Sequence, residues 1–293
     1  MPPLIRLLRP HQWTKNLFCL LGVIFSGRFT QPRHVLAALL TFAIFCAAAS
    51  AMYILNDCVD RERDRQHPRK RHRPIASGSI GVPAAALVAV ALGAVSLVGA
   101  AWLALSVAVC VALYMLNNIA YSTRLKHLPI IDVLSIALGF SLRLSAGIYA
   151  IAELPTTWIT LCTFFLSVFL GFAKRRAELT GTPGDGDNQR PVLAQYSKSF
   201  LDHLLSSAAS MAVITYALFT TGAGKNPGLV LTVPVVFYAV THYKRLVLLC
   251  DSGEEPERIL LTDRRIQLSL AVWLLLYFLI SYAEPQFFRH EQP

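Results

Sequence analysis

Long apolar runs separated by short polar segments dominate this chain. Nine of them stand out, at roughly 16–28, 35–56, 82–101, 102–121, 129–149, 155–173, 200–221, 227–243 and 265–283. At about 1.5 Å per helical residue, about 20 apolar residues cross a hydrocarbon core, and in lipid a helix satisfies its own backbone groups. The pattern therefore predicts an all-α fold, a polytopic membrane bundle of nine transmembrane helices built as one domain over 1–293. The first run is the weakest, because Gly22, Ser26 and Gly27 dilute it. The third and fourth runs meet near Ala100 to Trp102 with almost no connector, which predicts an antiparallel pair. The polar intervals 57–81, 122–128, 174–199 and 244–264 are expected as loops on one side.

Composition agrees with a membrane protein: 55% of the 293 residues are hydrophobic and 15% charged. Most of the 27 Lys and Arg fall on the side of the N-terminus and of those four loops. The opposite side holds Arg28, Arg33, Lys225 and Arg289, and Arg143 lies inside a run. By the positive-inside rule the rich side is cytoplasmic, which predicts a multi-pass protein of the inner (cytoplasmic) membrane with its N-terminus inside. The basic start is followed by Trp13 and Lys15 instead of a small-residue cleavage site, so no cleavable leader is expected. The net charge of +10 is dispersed among apolar helices, which argues against a nucleic-acid partner. The six cysteines show no zinc spacing and read as small buried residues. Gly181, Pro183, Gly184 and Gly186 make Thr180 to Arg190 a flexible candidate, and Asp251 to Arg265 reads as a solvated cap.

The most informative polar stretch follows the second run: Asn56, Asp57, Asp60 and Asp64, then Lys70 and Arg73. On a continuing helix Asn56, Asp60 and Asp64 recur every fourth residue and share one face, with Asp57 at its edge. Carboxylates about 5 Å apart repel by roughly 3 kcal/mol at an effective dielectric near 20, so a cation is expected between them. An oxygen-only set of this kind suits Mg²⁺, which keeps waters and bridges to substrate phosphates. Clustered cations just downstream are what a pyrophosphate needs at its other end.

Further candidates sit near the ends of other runs. Gln12 and Lys15, with His11, fit one helical face before the first run. Tyr121 and Lys126 close the fourth. Asp132 and Arg143 are ionisable groups within the apolar stretch 128–151, and such groups are costly at membrane depth. For Arg143 a phosphate or an acidic neighbour is expected close by. Lys174, Arg175 and Glu178 end the sixth run, where Lys174 and Glu178 are spaced to pair along a helix.

Asn56-Asp57-x-x-Asp60-x-x-x-Asp64, just past the second of nine runs, resembles the first acidic motif of the UbiA superfamily of intramembrane prenyltransferases. The aromatic prenyltransferases of that superfamily carry a second aspartate-rich motif after the sixth span. Here Lys174-Arg175-Arg176-Ala177-Glu178-Leu179 stands in its place. That segment, the Arg-Pro-His-Gln-Trp-Thr-Lys-Asn opening, the run from Arg65 to Gly78, and Tyr121 to His127 resemble a branch that transfers phosphoribosyl groups. The likeness implies a Mg²⁺-dependent enzyme joining 5-phosphoribosyl 1-pyrophosphate to a polyprenyl phosphate of the membrane lipid phase, with a cytoplasmic active-site mouth. It implies Asn56, Asp57, Asp60 and Asp64 at the metal, and Asn56, Asp60, Asp64 and Lys174 at the chemistry. Substrate binding would fall to Gln12, Lys15, Lys70, Arg73, Tyr121, Lys126, Arg143, Arg175 and Glu178, and self-association to a homo-oligomer is a further implication. The alternative is prenyl transfer from a prenyl diphosphate to an aromatic acceptor; a transporter or lipid-binding protein is a more distant one, for which neither paired inverted halves nor clear mid-membrane helix breaks are visible.

Overall fold

A computed structural model describes residues 2–68, 70–180, 191–222, 225–249 and 256–282. Among the described residues there are helices, turns and connecting segments and no strands. The α-helices are α1 (Pro3–Leu8), α2 (Phe18–Phe25), α3 (Pro32–Val59), α4 (Arg61–Gln66), α5 (Val82–Leu103) and α6 (Leu105–Thr123). They continue with α7 (Ile131–Ala150), α8 (Thr157–Thr180), α9 (Lys198–Thr220), α10 (Val233–Leu249), α11 (Pro256–Thr262) and α12 (Arg264–Tyr282). Seven of these, α3, α5, α6, α7, α8, α9 and α12, are long and apolar enough to cross a membrane.

The first and eighth expected spans differ from the pattern. Pro10–Leu17 is a 3₁₀ helix, and α2 after it has only 8 residues before Gly27 turns the chain with φ 70°. At the eighth, Asn226 accepts from the Gly228 N–H and starts a 3₁₀ helix, Pro227–Thr232, so that α10 is left with 17 residues. Pro10 and the left-handed Gly27 outweigh hydropathy at the first place, and the capping Asn226 with Pro227 at the second. The interval 174–199 also departs from expectation: α8 runs on to Thr180, which puts Lys174, Arg175 and Arg176 on a helix and not in a loop. The flexible candidate beyond Thr180 lies outside the described residues, as do Cys250 and the acidic part of the expected cap at 251–255.

The chain divides into two compact units, Met1–Lys126 with Leu138–Pro155, and His127–Ala137 with Thr156–Pro293. In the first, α3 is the central element. Its Phe45, Ala48, Ala49 and Met52 are buried with Val107, Val111 and Tyr114 of α6 and with Leu142 and Ala146 of α7. Nearer its C-terminal end Ile54 is buried with Leu7, Ile75, Ala85 and Ala89. Helices α5 and α6 meet through the single extended residue Ala104, close to the predicted junction. Small residues set the closest approach, since a Cβ on Gly147 would stand 1.9 Å from the Cys19 carbonyl oxygen. In the second unit α8 and α9 form the core, with Phe169, Phe172, Leu201 and Leu205 buried together with Val133, Tyr243 and Val247. Ser197 caps α9 by accepting from the Phe200 N–H at 3.2 Å.

Candidate active site

The acidic stretch is helical with one interruption. Helix α3 ends at Val59, Asp60 takes φ −86° and ψ 8°, and α4 follows. The register survives the break, because the Asp60 N–H still donates to Asn56 O and the Asp64 N–H to Asp60 O, both at 2.9 Å. The four polar side chains nonetheless separate into two groups. Asn56 Nδ2 donates to Asp60 Oδ2 at 3.0 Å, and Lys126 Nζ lies 3.9 Å from Asp60 Oδ1. Both of these acidic-stretch side chains are half-buried.

Asp57 and Asp64 are buried and share an arginine. Arg73 Nη1 donates to Asp57 Oδ1 at 2.9 Å and to Asp64 Oδ2 at 2.6 Å. Arg9 Nη2 also donates to both oxygens of Asp57, at 2.6 and 2.7 Å. The expected grouping of Asn56, Asp60 and Asp64 with Asp57 at the edge is thus corrected. Seven residues are almost two full turns, so Asp57 and Asp64 stand closer in azimuth than Asp60 and Asp64 do. The cation expected between two carboxylates is present, and it is a guanidinium. Arg73, expected on a substrate phosphate, is held in place by these acids. Arg9, in the basic start of the chain, adopts φ 53° at the end of α1 and turns its side chain onto Asp57.

Of the N-terminal candidates Gln12 and Lys15 meet, whereas His11 lines a separate pocket. In a 3₁₀ helix residues i and i+3 eclipse, and Lys15 Nζ donates to Gln12 Oε1 at 2.7 Å, with Tyr53 Oη donating to the same oxygen at 3.3 Å. Tyr121 is half-buried on the last turns of α6, and Lys126 on the 3₁₀ turn after it. Lys70 is exposed on the 3₁₀ turn Lys70–His72.

Arg143 is 6% exposed and its protein partners are neutral, so no acid pairs with it among the described residues. It donates through Nε to Asn16 Oδ1 at 2.7 Å, through Nη1 to Gly139 O at 2.9 Å and through Nη2 to Tyr114 Oη at 2.9 Å. Its guanidinium also lies over the Tyr114 ring, 4.5 Å from the centroid. The side chain ties the N-terminal 3₁₀ helix, α6 and α7 together in the first unit.

In the second unit Arg175 and Arg176 are each 1% exposed. Arg175 donates through Nε to Asp132 Oδ2 and through Nη1 to Glu178 Oε2, both at 2.6 Å. Asp132 Oδ1 accepts from Tyr196 Oη at 3.1 Å, and that hydroxyl accepts from the Ile130 N–H. Burial pushes the Tyr196 phenol up to about 12, so it stays a proton donor to Asp132 across the neutral range. Arg176, about 100° further round the helix, donates to Asp202 Oδ1 at 2.7 Å and to Val247 O at 2.6 Å. Arg175, expected on a phosphate, is joined by the geometry to Glu178 and Asp132. Lys174 is half-buried on the same turn. Asp202 and Arg176 carried no local signal beyond charge and Tyr196 none beyond its hydroxyl, because their partners lie far away in the sequence.

A divalent cation can be tested against these groups. Among the described residues no three His, Cys, Asp or Glu side chains are placed to share one ion. Asp57 has both oxygens engaged by arginine, whereas Asp60 and Asn56 offer hard oxygens at a half-buried position. One or two protein oxygens, with waters and substrate phosphates completing the shell, is how Mg²⁺ is commonly held. The donor set fits, with Asp60 and Asn56 the accessible part of it.

An all-helical, multi-pass membrane protein with an acid-and-cation cluster past its first long span is the class these features define. The profile of the UbiA prenyltransferase family matches residues 16–269, and the chain belongs to that family. The decaprenyl-phosphate phosphoribosyltransferase of Corynebacterium glutamicum is 33% identical over 97% of this chain and 88% of its own length. Its namesake in Mycolicibacterium smegmatis is 35% identical over 92% and 90%. The fold is shared with a UbiA homolog from Archaeoglobus fulgidus, solved bound to DMAPP and Mg²⁺ (TM-score 0.72, 21% identity, 95% of this chain and 99% of that one).

Proposed function

We propose that this enzyme transfers a 5-phosphoribosyl group from 5-phosphoribosyl 1-pyrophosphate to a decaprenyl-type polyprenyl phosphate, releasing pyrophosphate. The product would be a lipid-linked pentose precursor for cell-wall glycan. The observation that carries this reading is the likeness, over nearly the whole chain, to two bacterial enzymes with that activity in their names. The end of α8 supports it against prenyl transfer to an aromatic ring. Among the described residues there, the carboxylates Asp132 and Glu178 both pair with Arg175 and are not placed as an open acidic set for a second metal-bound diphosphate.

In the reaction an oxygen of the lipid phosphate forms a bond to the anomeric carbon as the bond from that carbon to pyrophosphate breaks, and pyrophosphate leaves with the electron pair. The nucleophile is already an anion, so no general base is needed, and catalysis is positioning plus charge stabilisation. A Mg²⁺ held by Asp60 and Asn56 would supply charge neutralisation on the departing pyrophosphate. Asp57 and Asp64 keep Arg73 and Arg9 in place beside that position. Lys70, Tyr121 and Lys126 are assigned to the donor and Gln12 and Lys15 to a substrate phosphate, while Arg143 holds their helix against α6 and α7. Lys174 is assigned to charge stabilisation, with Arg175 and Glu178 fixing its turn of helix.

The same reading makes the chain a single domain of nine spans, the 3₁₀-interrupted segments around α2 and α10 completing the seven long helices. The N-terminus and the site mouth face the cytoplasm, in the inner membrane, and copies self-associate. Purified protein incubated with radiolabelled donor, polyprenyl phosphate and Mg²⁺ tests the activity. Label is expected in the organic phase. Label entering lipid only from a prenyl diphosphate with an aromatic acid would establish the alternative instead.

A further inference from the structure

Of the acids in the α3–α4 stretch, Asp57 borders a cavity of about 350 Å³ lined also by Arg6, Arg9, His11, Arg73 and two prolines. That volume is at the small end for a ligand pocket. Three guanidinium groups, an imidazole and the Asp57 carboxylate line it; Asp57 is engaged by Arg9 and Arg73, and Arg73 also by Asp64 behind it, which leaves the charge of Arg6 in excess. Arg6 is exposed and gives Nη2 to a neutral acceptor, the His72 carbonyl, at 2.8 Å, so its charge is uncompensated. Burial, then the charges of Arg9 and Lys15, hold the His11 imidazole below its usual pKa, as a positive local field requires. A metal ion is disfavoured there, because the lining carboxylate, Asp57, already has both oxygens held by arginine, whereas planar forks match the terminal oxygens of a phosphate.

We propose that this cavity binds a phosphate monoester directly, without metal, and, resting on the phosphoribosyl-transfer reading, that its occupant is the 5-phosphate of the donor. Arg6 and His11 then act at the end of the sugar opposite the bond that breaks. They set specificity for a phosphorylated pentose. Asp57 holds Arg9 and Arg73 in their binding orientation.

The test uses the full chain in phosphatidylcholine nanodiscs with chelator present, so that no metal contributes. Ribose 5-phosphate is expected to raise the melting temperature and free ribose is not. In Arg6→Gln the half-saturating ribose 5-phosphate concentration should rise about 10- to 100-fold, the usual loss for a hydrogen bond to a charged group. His11→Asn should weaken binding by less. In the transfer assay Arg6→Gln should raise KM for the donor by a similar factor while KM for polyprenyl phosphate holds. Equal stabilisation by ribose, or an unchanged response in Arg6→Gln, would overturn the site. Inorganic phosphate binding as tightly as ribose 5-phosphate would overturn the donor assignment. So would stabilisation by phosphatidylglycerol nanodiscs alone, which points to a lipid headgroup. Arg6-dependent binding of ribose 5-phosphate by a wild type that transfers no phosphoribosyl would uphold the site and end the transfer reading.

Discussion

Replacing Arg73 by Gln isolates the charge arrangement beneath the site. The guanidinium lies 2.9 Å from Asp57 and 2.6 Å from Asp64, whose side chains are 3% and 5% exposed while its own is 27% exposed. At about 4 Å and an effective dielectric near 20, a unit pair is worth about 4 kcal/mol. Partial exposure of Arg73 lowers that, and Asp57 retains Arg9, so most of the loss falls on Asp64. Removing one partner of a buried pair costs about 3–5 kcal/mol, and the lower end applies here. For a chain of this size about 3 kcal/mol is roughly a 5–10 °C fall in melting temperature. Thermal unfolding in detergent measures it. The decisive arm is the double variant Arg73→Gln/Asp64→Asn: neutralising the stranded acid should recover at least about 1 kcal/mol, as coupled neighbours do. An Arg73→Gln protein that melts like the wild type, or a double variant that loses the sum of both single effects, would refute the pairing. It would also return Arg73 to direct phosphate binding as its sole role.

Asp60→Asn should lower transfer about 100-fold or more with little change in melting, because Asp60 is half-buried and the volume is kept; near-normal turnover with added Mg²⁺ would remove Asp60 from the metal. Gly147→Ala should cost about 3 kcal/mol or more and show as poor yield in membranes, since its Cβ meets backbone at 1.9 Å. Gly99→Ala, whose nearest neighbour is the Ile44 side chain at 3.5 Å, should be tolerated, and equal behaviour of the two would defeat the close-approach argument. Asp263 accepts from the Arg265 and Ile266 N–H groups at 2.9 Å and caps α12. The Ile266 N–H above all, then the adjacent His242 and the Arg265 N–H, holds its carboxyl below the usual value. A lowered folded pKa stabilises above the ordinary carboxylate pKa and is lost as pH falls through the folded value, so Asp263→Ala should cost about 1 kcal/mol at neutral pH and less below pH 4; a penalty independent of pH would refute the cap.

The amino-acid sequence by itself determined the membrane class, the helical fold and the position of the acidic stretch. Hydropathy over about 20 residues and four-residue spacing are local properties, and they show without a partner. It also placed Gln12 beside Lys15, where an i,i+3 relation is enough. Which charges neutralise which was decided only in three dimensions. Arg9 reaches Asp57 across 48 residues, Arg175 reaches Asp132 across 43, and Arg143 reaches Asn16 across 127. A positive side chain looks the same in sequence whether it awaits a phosphate or satisfies a buried acid. Tertiary packing separates the two, because desolvation makes every buried charge find its partner within the fold.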